Sequence, residues 1–162
     1  MIRYLLLRFL KYKLNDKIIS MDYYSRKLIM PFQKVLEKIT ENLEHQGFAV
    51  ITAIDFQETF KRKLNIKFRN YKILVACNPL FAYKAVSLES HMGVMLPSNI
   101  VIQEHENGQV EVSAINPLES LDKTFNTTHL VDLATEIGVM LRAAIDYVHH
   151  RPPKVNIEAL PV

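Results

Sequence analysis

The chain of 162 residues has one cysteine, four glycines and no tryptophan. One cysteine rules out an internal disulfide and a zinc site built from several cysteines, and such sparing use of cysteine is typical of a reducing compartment. The sequence also contains no Gly-rich phosphate loop, no His-Glu-x-x-His pair and no Gly-x-Ser-x-Gly nucleophile turn. We therefore expect a cytoplasmic protein with no metal and no cofactor.

Net positive charge is absent outside the first twenty residues. The whole chain has a formal net charge of +3, and residues 1–20, with five bases and one acid, account for +4. Residues 21–162 therefore sum to −1. Without net positive charge, these residues would not attract a nucleic-acid phosphate backbone over long range. We therefore expect no nucleic-acid partner.

A long apolar run is also missing from residues 1–20. Arg8 interrupts the apolar residues there, and the run is far shorter than the roughly 20 residues of a membrane span. A signal peptide would need an uncharged centre. Two interpretations stay open. The segment is either a basic amphipathic helix in weak contact with an anionic membrane surface, or an extension before a domain that begins at Met21.

Apolar periodicity predicts an α+β domain over residues 21–149, followed by a proline-containing tail over 150–162. A hairpin is present and strands do not strictly alternate with helices, so we expect a mainly antiparallel sheet with helices packed on it. The predicted order is β-α-β-α-β-α-β-β-β-α. The elements are strand 23–29, helix 32–46 ended by Gly47, strand 48–54, a helix capped by Asp55, strand 71–77, a helix from Asn78-Pro79 to about 90, a short strand 93–96, two hairpin strands within 99–115 and a helix at 129–149.

Two local patterns carry more detailed predictions. The strand "YKILVAC" (71–77) is apolar on both alternations, which predicts that helices cover both of its faces. Asn107-Gly108 predicts a two-residue turn of type I′, which pairs His105 with Val110 and Glu104 with Glu111. The two carboxylates would then lie opposite each other, with His105 on the other face of the sheet.

The helix after Asp55 places Phe56, Phe60 and Leu64 on one face. It ends in a stretch, residues 61–72, that has six bases and no acid. Bases near a helix C-terminus complement the helix dipole, so a solvated basic end is one interpretation. The other is an anion-binding rim.

Cys77 is the only candidate for catalysis. It ends an apolar strand just before a helix that Asn78 caps and Pro79 begins. The N-terminus of a helix stabilises a thiolate, and His91 or His105 would be the candidate base. A free cysteine at the end of an apolar strand is also typical of a buried structural residue.

Several motifs together resemble a known family. "GFAVITAIDF", "YKILVACNPLFAYKA" and "GVMLPSNIVIQEHENGQVEVSAINP" appear in the order and spacing of the domain-of-unknown-function family numbered 302, over about residues 21–149. The resemblance implies a small α+β fold with a curved antiparallel sheet, similar to the TATA-binding-protein fold, and no established activity. The residues that match the family signature are Cys77, Asn78, Pro79, Leu96, Pro97 and Asn99.

This chain departs from the family pattern in two places. Many members have a cysteine where this chain has Ser98, and many have Asp-Pro where it has Asn116-Pro117. A dithiol exchange or a two-cysteine metal site would therefore lack its second thiol here.

We predict a small globular domain that binds a small molecule or a partner protein without catalysis and forms a homodimer. The alternative is a thiol-dependent redox or transfer protein that uses Cys77. The candidate binding residues are Cys77, Asn78, Pro79, Leu96, Pro97, Ser98, Asn99, His91 and His105.

Overall fold

The computed structural model describes residues 23–121 and 127–148. Five strands form one antiparallel sheet in the order β1-β5-β4-β3-β2, with helices packed on it. The α+β class predicted from the sequence is confirmed. The elements are β1 (Tyr23–Leu28), α1 (Phe32–His45), β2 (Ala49–Asp55), α2 (Phe56–Leu64), β3 (Tyr71–Cys77), α3 (Pro79–Leu88), a 3₁₀ helix (Ser90–Met95), β4 (Ser98–Glu104), β5 (Val110–Ile115), α4 (Pro117–Ser120) and α5 (Thr128–Asp146).

Helix starts and ends follow the local sequence signals. Gly47 takes a positive φ of 78° just after α1, a conformation that costs glycine least. The Asp55 carboxylate accepts the Glu58 N–H at 3.0 Å and caps α2. Asn78 caps α3, and Pro79 takes its first position. Each of these predictions is confirmed.

The predicted strand at residues 93–96 is wrong. These residues continue the 3₁₀ helix or directly follow it, and β4 begins only at Ser98. The Glu89 carboxylate accepts the His91 N–H at 3.0 Å, which satisfies a free donor at the start of this helix. Met92 is buried against other apolar side chains, so this segment is stabilised by its cap and its packing rather than by a strand partner.

The two faces of the sheet have different environments. One face lies under helices α1 and α5, and eight of its apolar side chains are at most 3% exposed. The other face contains no fully buried side chain within the described residues. The predicted cover on both faces of β3 is therefore wrong, because Ile73, Val75 and Cys77 are only half-buried. The buried sheet residues are Leu28, Leu74, Ala76, Ile100, Ile102, Val110, Val112 and Ala114.

The turn between β4 and β5 is longer than predicted. The His105 carbonyl accepts the Gly108 N–H at 2.9 Å, and the His105 N–H donates to the Gln109 carbonyl at 2.8 Å. Gly108 has a φ of 76°, whereas Asn107 has no positive φ. A type I′ turn needs positive φ at both central residues. The connection is therefore a three-residue loop, and the predicted type I′ turn is wrong.

The longer turn shifts the strand register by one residue. Glu104 pairs with Val110, and Gln103 pairs with Glu111. The predicted pairings of His105 with Val110 and of Glu104 with Glu111 are therefore wrong. A one-residue shift changes which side chains of the two strands share a face, and this register places Ile100, Ile102, Val110, Val112 and Ala114 together on the buried face.

The predicted extension (1–20) and tail (150–162) lie outside the described residues. Within the described part of the chain, no helix is both long enough and apolar enough to cross a membrane.

Candidate functional site

A pocket lies at the end of the sheet where β4 begins and β5 ends. Its volume is about 420 Å³, and its walls come from the 3₁₀ helix, the strand ends and helices α3, α4 and α5. Most of the side chains around it are aliphatic or are methionines. The lining residues are Val75, Ala85, Met92, Val94, Met95, Leu96, Pro97, Ser98, Asn99, Ile115, Pro117, Leu121, Leu130, Leu133, Ala134 and Ile137.

The Leu-Pro-x-Asn motif forms one wall of this pocket. Leu96, Pro97, Ser98 and Asn99 all line it. Four of the nine candidate residues from the sequence are therefore brought together at one cavity. Ser98 and Asn99 are the only lining residues with polar side chains, and Asn99 is exposed at the surface. The pocket thus combines an apolar body with two hydrogen-bonding side chains.

No titratable side chain is among the residues that line the pocket. General acid–base catalysis needs a titratable group within hydrogen-bond reach of the reacting atom. The described lining provides apolar contact and hydrogen bonding, and it lacks that kind of group. These lining residues can hold a molecule by apolar contact and hydrogen bonds.

Cys77 lies outside the pocket lining. It is half-buried at the end of β3, and its Sγ is 3.8 Å from the Asn78 carbonyl oxygen, to which it donates. Burial raises the pKa of the Cys77 thiol. A raised pKa lowers the thiolate fraction at neutral pH and weakens the nucleophile.

Asn78 and Pro79 have structural roles at the start of α3. The Asn78 side-chain oxygen accepts the Leu80 N–H at 3.2 Å and the Phe81 N–H at 3.4 Å. The Asn78 side chain is buried, and its Nδ2 has no hydrogen-bond partner among the described residues. Neither Asn78 nor Pro79 is among the pocket-lining residues.

The two candidate histidines are each paired with a glutamate. His91 is exposed, and its Nδ1 lies 2.9 Å from a Glu89 carboxylate oxygen. The backbone N–H and ring of His91 hold the pKa of Glu89 below its ordinary value. The His105 Nε2 lies 2.7 Å from a Glu111 carboxylate oxygen. Neither imidazole therefore has Cys77 as its partner.

The His105–Glu111 pair is a consequence of the corrected register. Burial of Glu111 favours its neutral form, but hydrogen bonds from His105 and Ser25 and the charge of Lys27 lower its pKa overall. Glu104 has its own partner, since it accepts the Asn70 Nδ2 at 2.6 Å. Across the part of the chain that the structure describes, no three His, Cys, Asp or Glu residues are placed to hold a metal ion.

A second cleft, of about 480 Å³, lies between β1 and α5. The Tyr24 hydroxyl donates to the Asp146 carboxylate, and Arg26 donates to the same carboxylate at 3.0 Å. The Arg142 guanidinium lies 4.7 Å from the centre of the Tyr24 ring. Burial and the Asp146 carboxylate raise the pKa of Tyr24. Sequence analysis missed this cluster because Tyr24 and Asp146 are 122 residues apart and share no motif.

The fold and the pocket define a small α+β protein with a five-stranded antiparallel sheet and an apolar cavity at one end. The family described as "Domain of unknown function DUF302" matches residues 24–148, and the chain belongs to this family. The chain is similar to a solved structure, "Crystal structure of uncharacterized conserved protein DUF302 from Bacillus stearothermophilus". The two are 25% identical with a TM-score of 0.71, and the match covers 78% of this chain and 98% of that chain. No curated protein matches the chain.

Proposed function

We propose that this protein binds a small, uncharged and mainly apolar molecule in the pocket at the end of the sheet, without catalysing a reaction. The observation that carries the proposal is the composition of the lining, which joins aliphatic and methionine side chains to Ser98 and Asn99. Ligand pockets are typically about 300–1,000 Å³, mostly apolar, with a few polar groups that orient the ligand. The volume of about 420 Å³ falls within that range.

The lining also favours one chemical class of ligand. A charged group would lose its hydration on entering this cavity and would find no opposite charge among the described lining residues. A hydroxyl or carbonyl group at one end of the ligand can instead bond to Ser98 or Asn99. The expected ligand therefore has an aliphatic or aromatic body and one uncharged polar end.

The thiol-dependent alternative has less support. Cys77 does not line the pocket, and burial raises the pKa of its thiol. The position of Ser98 where many relatives have cysteine leaves the chain without a second thiol.

The experiment is a titration with N-phenyl-1-naphthylamine, an uncharged probe that becomes fluorescent in apolar sites. We expect saturable fluorescence with the unaltered chain and displacement of the probe by a medium-chain alcohol. The Ala134→Leu variant places extra atoms in the cavity and should abolish saturable binding. The matched control is Val139→Leu, because Val139 lies on the same helix but is 65% exposed.

Two further variants keep the test decisive if Ala134→Leu does not fold. Ile137→Phe fills the same cavity from a half-buried position. Ser98→Ala removes a hydroxyl and should weaken displacement by the alcohol while leaving the probe bound. Equal binding by the unaltered chain, Ala134→Leu and Ile137→Phe would place the probe elsewhere and overturn the proposal.

The homodimer and the cytoplasmic location also remain proposals. For the first, sedimentation equilibrium of the full chain is expected to give twice the mass of one chain. The mass of one chain at all concentrations would contradict the homodimer proposal.

A further inference from the structure

In the segment KRKLNIK, residues 61–67, every residue is exposed, and we call this segment the basic tip. It covers the last turn of α2 and the start of the connection to β3. Four of its seven residues are bases and none is an acid. The basic tip therefore carries a formal charge of +4, whereas the other described residues, with eight bases and thirteen acids, sum to −5.

Two aliphatic side chains are exposed among these bases. Leu64 is 61% exposed and Ile66 is 50% exposed. Asn65 takes a left-handed conformation with a φ of 55° and ends α2, so that Leu64 and Ile66 flank a tight turn.

The backbone of the basic tip is held in place by hydrogen bonds. The Asn65 N–H donates to the Lys61 carbonyl at 3.2 Å, and the Ile66 N–H donates to the Phe60 carbonyl at 3.3 Å. Exposure of the two aliphatic side chains is thus a property of an ordered turn.

Residues on either side of the basic tip in the chain form an aromatic cluster of Phe56, Phe60, Phe68 and Tyr71. The ring centroids of Phe56 and Phe60 are 5.1 Å apart, as are those of Phe60 and Phe68. The Tyr71 ring meets Phe56 edge-on at 5.6 Å, and the Arg69 guanidinium lies 4.7 Å from the centre of Phe68. These rings are occupied by contacts with each other and with Arg69.

The bases of the basic tip differ from Arg69 and Lys72, because none of them has a side-chain hydrogen-bond or ion-pair partner among the described residues. Lys72 pairs with Asp55 at 3.4 Å, and Arg69 donates to Gln103 at 2.8 Å. Within the described residues, none of the four bases of the basic tip forms an ion pair. The helix dipole explains bases in the last turn of α2. It explains neither Lys67, which lies beyond the helix, nor the two exposed aliphatic side chains.

We propose that the basic tip docks on a membrane surface that contains anionic phospholipids. Bases attract the negative headgroups, and exposed aliphatic side chains enter the boundary between headgroups and acyl chains. A single-stranded nucleic acid would favour exposed aromatic rings for base stacking, and the rings here are already in mutual contact. The combination of four unpaired bases with Leu64 and Ile66 therefore fits lipid better than nucleic acid.

The test uses the absence of tryptophan from the chain. Leu64→Trp in the full chain introduces a single fluorescent reporter at the basic tip. Vesicles of phosphatidylcholine and phosphatidylserine in equal amounts should shift its emission to shorter wavelength, and brominated phosphatidylcholine in those vesicles should quench it. Vesicles of phosphatidylcholine alone should do neither. Val139→Trp is the matched control, because Val139 is 65% exposed on α5, and its emission should not change.

Binding strength separates the contribution of the charge from that of the aliphatic side chains. In vesicle sedimentation, Lys63→Gln should weaken binding to anionic vesicles about five-fold, which is the expected effect of one base near such a surface. Leu64→Ser should also weaken it. Lys34→Gln removes an exposed base from α1, and Val139→Ser removes an exposed aliphatic side chain from α5. Neither control should change binding.

Three results would overturn the proposal. The first is no binding of the full chain to anionic vesicles. The second is equal binding by Lys63→Gln, Leu64→Ser and the unaltered chain, which would assign membrane contact to residues 1–20 or another surface. The third is binding to a DNA oligonucleotide that Lys63→Gln weakens and Leu64→Ser does not, with no vesicle binding. That result would assign the basic tip to nucleic acid.

Discussion

The two faces of the sheet are built from the same five strands but have opposite surroundings. On the helix-covered face, Ile100, Ile102, Val110 and Val112 are completely buried. On the open face no described side chain reaches that burial, although β3 and β4 place aliphatic residues there as well. Aliphatic side chains thus occur on both faces, and the face that lies under helices α1 and α5 becomes the core.

The largest expected difference between the faces comes from the same substitution made on each of them. Val112→Ala removes two methyl groups from a completely buried site, which should cost about 2–3 kcal/mol in the free energy of unfolding through lost burial and a residual cavity. Val101→Ala removes the same atoms from the half-buried open face and should cost less than about 1 kcal/mol. Urea unfolding of both variants measures the difference.

Equal costs at these two valines would contradict the comparison. Such a result would mean that the open face is covered in solution, for example by a second copy. Sedimentation of Val101→Lys would then decide the matter, since a buried lysine would break the assembly.

A smaller loss in the free energy of unfolding is expected when a buried polar residue of helix α1 is replaced. Asn42 on α1 is 4% exposed, and its Nδ2 donates to the Ala144 carbonyl of α5 at 3.0 Å. Asn42→Ala should cost about 1–2 kcal/mol because it removes this bond and leaves a small void. Gln33→Ala, on the exposed side of the same helix, should change stability by less than about 0.5 kcal/mol. A cost at Asn42 no larger than that at Gln33 would show that the bond does not couple the two helices.

The helical layer was largely predictable from the sequence. Spacings of three and four residues identify α1 and α5, and caps at Asp55 and Asn78 identify the starts of α2 and α3, because these signals are local. The strand register was not predictable. Asn107-Gly108 is compatible with two loop lengths, and the choice between them depends on which residues the helices bury.

The candidate site was predicted in part. Leu96, Pro97, Ser98 and Asn99 are adjacent in the chain, and they do line one pocket. Other lining residues, Leu130 among them, come from α5, which the sequence identified only as a helix. Periodicity shows that a helix has an apolar side, but it does not show whether neighbouring elements fill the space beside it. For the same reason the exposure of Leu64 was missed.

At the open face, a modest pH dependence is expected from Glu111. Its side chain is 12% exposed and bonds to His105. Its folded pKa is lowered from the ordinary value of 4.5. A lowered pKa stabilises the fold above the unfolded value, and this contribution is lost as pH falls through the folded value. Glu111→Gln should therefore cost up to about 1 kcal/mol near neutral pH, with the difference shrinking below about pH 4.5.

The control for Glu111 is Glu106→Gln, at an exposed turn residue with no hydrogen bond or ion pair among the described residues. Thermal unfolding of both variants across the acidic range provides the measurement. If Glu106→Gln shows the same pH dependence as Glu111→Gln, the effect reflects net charge and not the pair with His105.

The smallest expected effect on stability is that of replacing Cys77, which lies on the open face. Burial on this half-open face raises the thiol pKa above its ordinary value of 9.0, so the thiolate is scarcer in the folded chain than in the unfolded one. Iodoacetamide at neutral pH should therefore modify the folded protein several-fold more slowly than the chain in urea, with a single adduct because there is one cysteine. Cys77→Ser should give no adduct and change stability by less than about 1 kcal/mol. Faster modification of the folded protein would instead mean an activated thiolate, and it would restore the thiol-dependent alternative.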